Sequence, residues 1–198
     1  MIDPSHKKNR FQEIWHDYRS EIKFVTIFVV GLVAAFFFIN NEKVASTVVK
    51  PITVAETKIA SVVLNQSVVG FPNKQSENVI RGKGDNFFQM EVKNNCNGIY
   101  ESIVFLMAFI AIQVPWRRKI GWMAGGFLVF HIINELRLVT LFIIGSTKSH
   151  ETFVFFHETF WQYTLIILTL AIFLFCADRA SRTVSVLKIK EKEDAGSR

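Results

Sequence analysis

Four apolar runs, separated by polar and charged segments, organise the chain. They read "IKFVTIFVVGLVAAFFFI" over 22–39, "GIYESIVFLMAFIAIQV" over 98–114, "IGWMAGGFLVFHIINELRLVTLFIIG" over 120–145, and a fourth run over 153–176. Each is long enough for a membrane-spanning helix, which needs about 20 apolar residues with a range of roughly 17–25. Between the first two runs lies a segment of different periodicity. Val44, Val48, Val49, Ile52, Ala55, Ile59, Val62 and Val63 recur at helical spacing, predicting an amphipathic helix on the membrane or on the bundle. Pro51 is expected to kink or divide it. In "NVIRGKGDNFFQMEV" two short apolar stretches flank good turn residues, predicting a β-hairpin that leads into Cys96. The expected fold is an all-α integral membrane helical bundle of four transmembrane helices, with an extracytoplasmic amphipathic helix and a small β-hairpin over 40–95. No internal repeat is evident.

Composition agrees with this pattern. Half of the 198 residues are hydrophobic and 20 are Phe, which suits several membrane spans better than a small soluble domain. The net charge of +6 raises a nucleic-acid binder as an option. The basic residues, however, flank the apolar runs instead of forming one face, as membrane proteins distribute them. "HKKNR", "PWRRK" and "DRASR" fall on one side of four spans, and the positive-inside rule makes that side the cytoplasm. Residues 1–21 are then a cytoplasmic tail, with Phe11, Ile14, Trp15 and Tyr18 suited to a short interfacial helix. Residues 22–180 form the membrane domain and 181–198 a second cytoplasmic tail. The first run lacks a convincing cleavage site and reads as an uncleaved signal anchor.

Two cysteines, Cys96 and Cys176, are too few for a disulfide framework. The topology puts them on opposite sides of a hydrocarbon core about 30 Å thick. Cys96 stands where a polar segment becomes apolar, so it is either a small buried side chain or a nucleophile. The third run decides between them. It carries His131, Asn134, Glu135 and Arg137, and ionisable groups within a span face a bundle interior or cavity and are functional candidates. A structural network is the alternative reading, with His131 and Glu135 as an i,i+4 pair and Asn134 and Arg137 on one face. Arg137 lies about 27 Å of helical rise beyond the basic turn, toward the outer leaflet. Cys96 opens the second span and His157 the fourth at that same boundary.

Chemistry fits the convergence. A thiol near a helix N-terminus is favoured as thiolate, and Asn94 or Asn95 is placed to cap that helix. A nearby His can take and return a proton, and an Arg can stabilise an oxyanion. These residues favour the nucleophile. His131, about 9 Å deeper than Arg137 by helical rise, ranks second for the histidine role. Cys176 reads as packing. His6, His16 and His150 read as solvated, and Trp116, Trp122 and Trp161 as interface belts. No cofactor is expected, and no Cys/His cluster has metal-ligand spacing.

"NNCNGI" at 94–99, "NELR" at 134–137 and "FFHETF" around His157 match in order and topology the Cys, Asn-x-x-Arg and His blocks of a known family. Over about residues 22–180 the chain resembles the exosortase/archaeosortase family of multi-pass membrane cysteine transpeptidases, and its size resembles the compact exosortase H type. Many members have Ser where this chain has Asn97. The resemblance implies Cys96, Arg137 and His157 as catalytic residues, with Asn134 in support. It implies substrate proteins bearing a C-terminal sorting tail: a short motif, a transmembrane helix and a basic cluster. The tail would be cleaved at the outer face of a bacterial inner membrane and the new C-terminus passed to an acceptor. Membrane lipid, and no nucleic acid, is the other expected partner. The rival readings are a non-enzymatic membrane scaffold or assembly factor and, more remotely, a small transporter subunit lacking the usual repeats. The recognition motif, the acceptor and the oligomeric state are not encoded legibly.

Overall fold

The computed structural model of the protein describes residues 18–69, 78–82, 88–93 and 96–196. Helix α1, Arg19–Ile39, is apolar beyond its charged start at Arg19, Glu21 and Lys23 and buries no residue, as a helix at the lipid boundary does. A short α2, Glu42–Val44, runs through a π-helical segment, Ala45–Val49, into α3, Lys50–Val63. Helix α4, Ile99–Ala111, and α5, Trp116–Thr147, follow the sheet region. The last rod comprises α6, His150–Val154, a second π segment, Phe155–Phe160, and α7, Trp161–Gly196.

Helices α1, α5 and the rod His150–Arg182 are each long and apolar enough to cross a membrane. The expected second span differs. It appears as α4, whose 13 residues rise only about 20 Å, short of a hydrocarbon core of about 30 Å. Its central place is nonetheless clear. It packs against α1, α5 and α7, burying Ser102, Phe105, Ala108 and Phe109. Lys119 from the following turn donates to the Ile110 carbonyl at 2.8 Å, satisfying one of the carbonyls left open at the helix end. The last rod begins three residues before the fourth apolar run does. Its helix continues through most of 181–198, where a tail is expected.

One further expectation changes, and another is resolved. Pro51 does not divide the amphipathic helix. It sits in the first turn of α3, directly after the π segment, where an extra residue per turn relieves the missing N–H and the ring clash. Most of the apolar stripe of that helix faces outward, as a helix lying on the membrane would present it, although Val49 is buried. Ile59, Val62 and Val63 are exposed, whereas Thr53, Glu56, Thr57, Ala60 and Ser61 are buried. The polar stripe at i, i+3, i+4, i+7 and i+8 is therefore the packed face, against α5. An outward apolar stripe suits a helix that lies on a membrane surface.

The expected hairpin is present as β2, Val79–Arg81, and β3, Gln89–Glu91, paired antiparallel with Ile80 opposite Met90. A third strand, β1, Ser67–Val69, joins the other side of β2, giving the order β1-β2-β3. Residues 83–87 of the expected turn, and Phe11, Ile14, Trp15, His6 and His16, lie outside the described residues. Ile80, Met90, Val92, Cys96, Leu138, Leu141, Phe142 and Trp161 form the core cluster that joins sheet to helices. Trp161 is thus a core residue and not part of an interface belt. Trp116 is exposed, as a belt residue is.

Candidate active site

A tight turn delivers Cys96. Its N–H donates to the Lys93 carbonyl at 2.8 Å, and the chain then enters α4 through Gly98 at φ +69°. This left-handed backbone costs a residue with a Cβ roughly 1–2 kcal/mol. A Cβ at Gly98 would also come within 2.9 Å of Phe130 and 3.2 Å of Asn134. Only glycine fits. The helix N-terminus is served by Asn97, where Asn94 or Asn95 was expected; the latter two lie outside the described residues. The Asn97 side-chain oxygen accepts from the Ile99 N–H at 3.1 Å. Its amide donates to Thr53 Oγ1 at 2.7 Å. Asn97 therefore ties the cysteine turn to α3 with both ends of one fully buried side chain.

His157 reaches the same point from the last rod. Its Nε2 lies 3.6 Å from Cys96 Sγ, across 61 positions of sequence. The residue sits in the π segment Phe155–Phe160. Such single-turn insertions rotate the residues that follow and recur at functional sites. The imidazole stacks on Phe153 at 5.8 Å with an interplanar angle of 14°, which limits its rotation. The thiol meets His157 and not His131.

Helix α5 contributes Asn134 and Arg137, both buried. Asn134 Nδ2 donates to the Cys96 carbonyl at 3.3 Å and to Glu56 Oε2 at 3.0 Å. Arg137 Nη1 approaches Asn134 Oδ1 at 3.5 Å, a long contact, and its Nε has no partner among the described residues. The guanidinium thus stands one side chain away from the cysteine backbone, with donor capacity unspent. Two expectations about this helix fare differently. Asn134 and Arg137 do share a face. The expected His131–Glu135 pair does not form: both Glu135 oxygens lack a hydrogen-bond partner among the described residues.

Instead, His131 Nδ1 lies 2.6 Å from Glu56 Oε1, and its Nε2 lies 3.3 Å from Ser102 Oγ. Glu56 is the residue that sequence reading missed. It holds His131 with one oxygen and Asn134 with the other, so a single carboxylate from α3 fixes two positions of α5. Burial pushes its carboxyl above the ordinary range, against the opposing pull of His131, Asn134 and Arg137. The available signal was the polar stripe Thr53, Glu56, Thr57, Ala60, Ser61 at helical spacing within an apolar helix. Ser102, His131 and Glu56 have the order of a nucleophile, base and orienting acid. Ser102 is buried, though, and neither it nor Arg137 is on the wall of the cavity described next, which Cys96 and His157 line.

An open cavity of about 560 Å³ lies against the thiol, lined by Cys96 and His157 together with residues of β3 and of the α5–α6 corner. His150, read from sequence as a solvated loop residue, is exposed and also lines it. Cys176 packs instead with Phe105, Phe109 and Ala180 in a separate cluster, as expected for a structural thiol. Among the described residues no three His, Cys, Asp or Glu side chains converge as a metal ion would need.

These features define a helical membrane protein with a cysteine–histidine pair at an open cavity. A profile of the transmembrane exosortase family matches residues 19–180. The chain belongs to that family, which supports a membrane transpeptidase role in general. Comparisons with curated proteins and with solved structures gave no match.

Proposed function

We propose that the protein is a membrane cysteine transpeptidase that removes C-terminal sorting tails from exported proteins. The observation that carries this reading is the 3.6 Å approach of Cys96 Sγ to His157 Nε2 at the wall of an open cavity. Cys96 attacks the scissile carbonyl while His157 takes the thiol proton. The buried Arg137 guanidinium, with donors to spare, stabilises the oxyanion of the tetrahedral intermediate. Asn134 is a positioning residue that holds the Cys96 carbonyl and meets Arg137. Collapse of the intermediate breaks the C–N bond, and His157 returns its proton to the leaving amine. The thioester on Cys96 is then attacked by an acceptor nucleophile, which yields its proton to His157 and frees the thiol. Membrane insertion keeps both the tail's apolar helix and the enzyme in one plane, raising their effective concentration.

The reading requires a covalent stage. Incubating the full-length protein in vesicles with a tailed reporter is expected to build an adduct on Cys96 that hydroxylamine releases as a hydroxamate of the trimmed reporter. Products appearing with no hydroxylamine-sensitive adduct would eliminate the thioester route.

We further propose four spans, with both termini in the cytoplasm of a bacterial cell and the cavity on the extracytoplasmic side of its inner membrane. The basic clusters at "HKKNR", "PWRRK" and "DRASR" support this orientation. The short α4 is extended by the turn at 96–98 and the 112–115 segment, and it is surrounded by α1, α5 and α7, so its ends need not meet bulk lipid. Reporter fusions at residue 80 and residue 118 are expected to give opposite sidedness. Equal sidedness would overturn the four-span topology.

A further inference from the structure

Strand β3 lies at the edge of the sheet, with β2 on one side and no strand beyond it among the described residues. Its backbone alternates in direction. The Gly82 N–H donates to the Phe88 carbonyl at 3.0 Å, and the Val92 N–H donates to the Asn78 carbonyl at 2.8 Å. With Met90 opposite Ile80, Phe88, Met90 and Val92 therefore turn their hydrogen-bonding groups toward β2. Gln89 and Glu91 turn theirs away from it.

The outward side of that strand is where the cavity lies. Side chains of successive strand residues point to opposite faces of a sheet, so a cavity beside one face would touch every second residue. This cavity is lined by Phe88, Gln89, Met90 and Glu91 in succession, and by Cys96 and His157. It meets the strand edge-on. Among the described residues, a row of backbone donors and acceptors left open by the sheet thus runs along the same cavity that holds the thiol. Exposed edges of this kind recruit a further strand, and proteins otherwise cover or charge them.

We propose that the substrate's cleavage segment binds in extended form as a fourth strand on β3, through backbone hydrogen bonds to Gln89 and Glu91. The inference rests on the transpeptidase reading, and it adds the mode of recognition. The occupant is a peptide segment with free backbone amides, because only that chemistry uses alternating N–H and C=O groups and also presents a carbonyl to Cys96. Backbone pairing supplies affinity with little demand on side-chain identity, and the scissile carbonyl is set by register.

The test uses the wild-type full-length protein in vesicles and a reporter tail that it cleaves. A short peptide copied from the segment preceding that tail's apolar span is the probe. Protection of Cys96 from iodoacetamide, read at Cys96 by mass spectrometry, measures its binding. Methylating one backbone nitrogen of the peptide at a time is expected to weaken protection about tenfold at every second position, with little effect between them, as loss of single backbone hydrogen bonds in a strand pair requires. A peptide that gives no protection, or a methylation profile without period two, overturns strand addition. In a second arm, Glu91→Pro removes one outward N–H and leaves the β2–β3 ladder unbroken. It is expected to weaken protection by a similar factor while the unprotected thiol labels at the wild-type rate. Unchanged protection overturns the proposal. A Glu91→Pro protein with altered free labelling is judged on the methylation scan alone. If wild type cleaves no tail, the transpeptidase reading fails instead, so the two failures are distinguishable.

Discussion

Replacing Cys96 with alanine is expected to abolish cleavage of a tailed reporter and leave the bundle intact. Sγ is the nucleophile in the proposed reaction, and no other thiol can substitute. Cys176 packs among Phe105, Phe109 and Ala180, a cluster separate from the one that holds Cys96. The Cys96 side chain is small, so its truncation removes little packing. Structural loss should stay within the range of about 0.5–3 kcal/mol typical of single substitutions. Cys176→Ala is accordingly expected to process the reporter at near wild-type rate. The measurement is reporter cleavage in membranes alongside thermal stability of the purified protein. Wild-type processing by the Cys96 variant would remove the mechanism, whereas an unfolded variant would be recognised from its melting behaviour and replaced by Cys96→Ser.

His157→Ala is expected to lose on the order of 100-fold or more in turnover, the contribution general acid–base catalysis usually makes. Its Nε2 is the ring nitrogen near Cys96 Sγ, and its place in a π turn makes that aim specific. His131→Ala should act differently. His131 is bonded to Glu56 and Ser102, so its removal leaves a buried carboxylate oxygen unpaired at a cost of about 1–3 kcal/mol. The expected phenotype is a less stable protein whose Cys96 still labels with iodoacetamide and still processes substrate. Comparing both variants on one reporter, with melting temperature and thiol labelling measured in parallel, separates the roles. An inactive but stable His131→Ala beside an active His157→Ala would reverse the histidine assignment.

The sequence by itself determined the parts of this protein that depend on local composition. Apolar runs marked the three long membrane helices, because a helix in lipid must be apolar along its length and satisfy its own backbone. The turn-flanked alternation at 78–92 marked the hairpin. Cys96 and His157 came to one level because each opens an apolar run at the outer boundary, and counting helical rise brought Arg137 toward that level. What depended on packing was not legible. Periodicity found the amphipathic helix and left open whether its apolar stripe meets the membrane or the bundle; only the docking of α3 on α5 makes the polar stripe the packed face. Glu56 was invisible as a site residue for the same reason. Its partners, His131 and Asn134, lie 75 and 78 positions away, and only the docking of α3 on α5 joins them. The i,i+4 spacing of His131 and Glu135 suggested a pair that does not form, because a carboxylate on another helix, Glu56, takes the His131 Nδ1 position instead. The outermost place of β3 among the described strands was equally hidden. Which strand lies outermost, and which cavity it borders, is set by the order of the sheet and by the helices against it, and no local pattern carries that information.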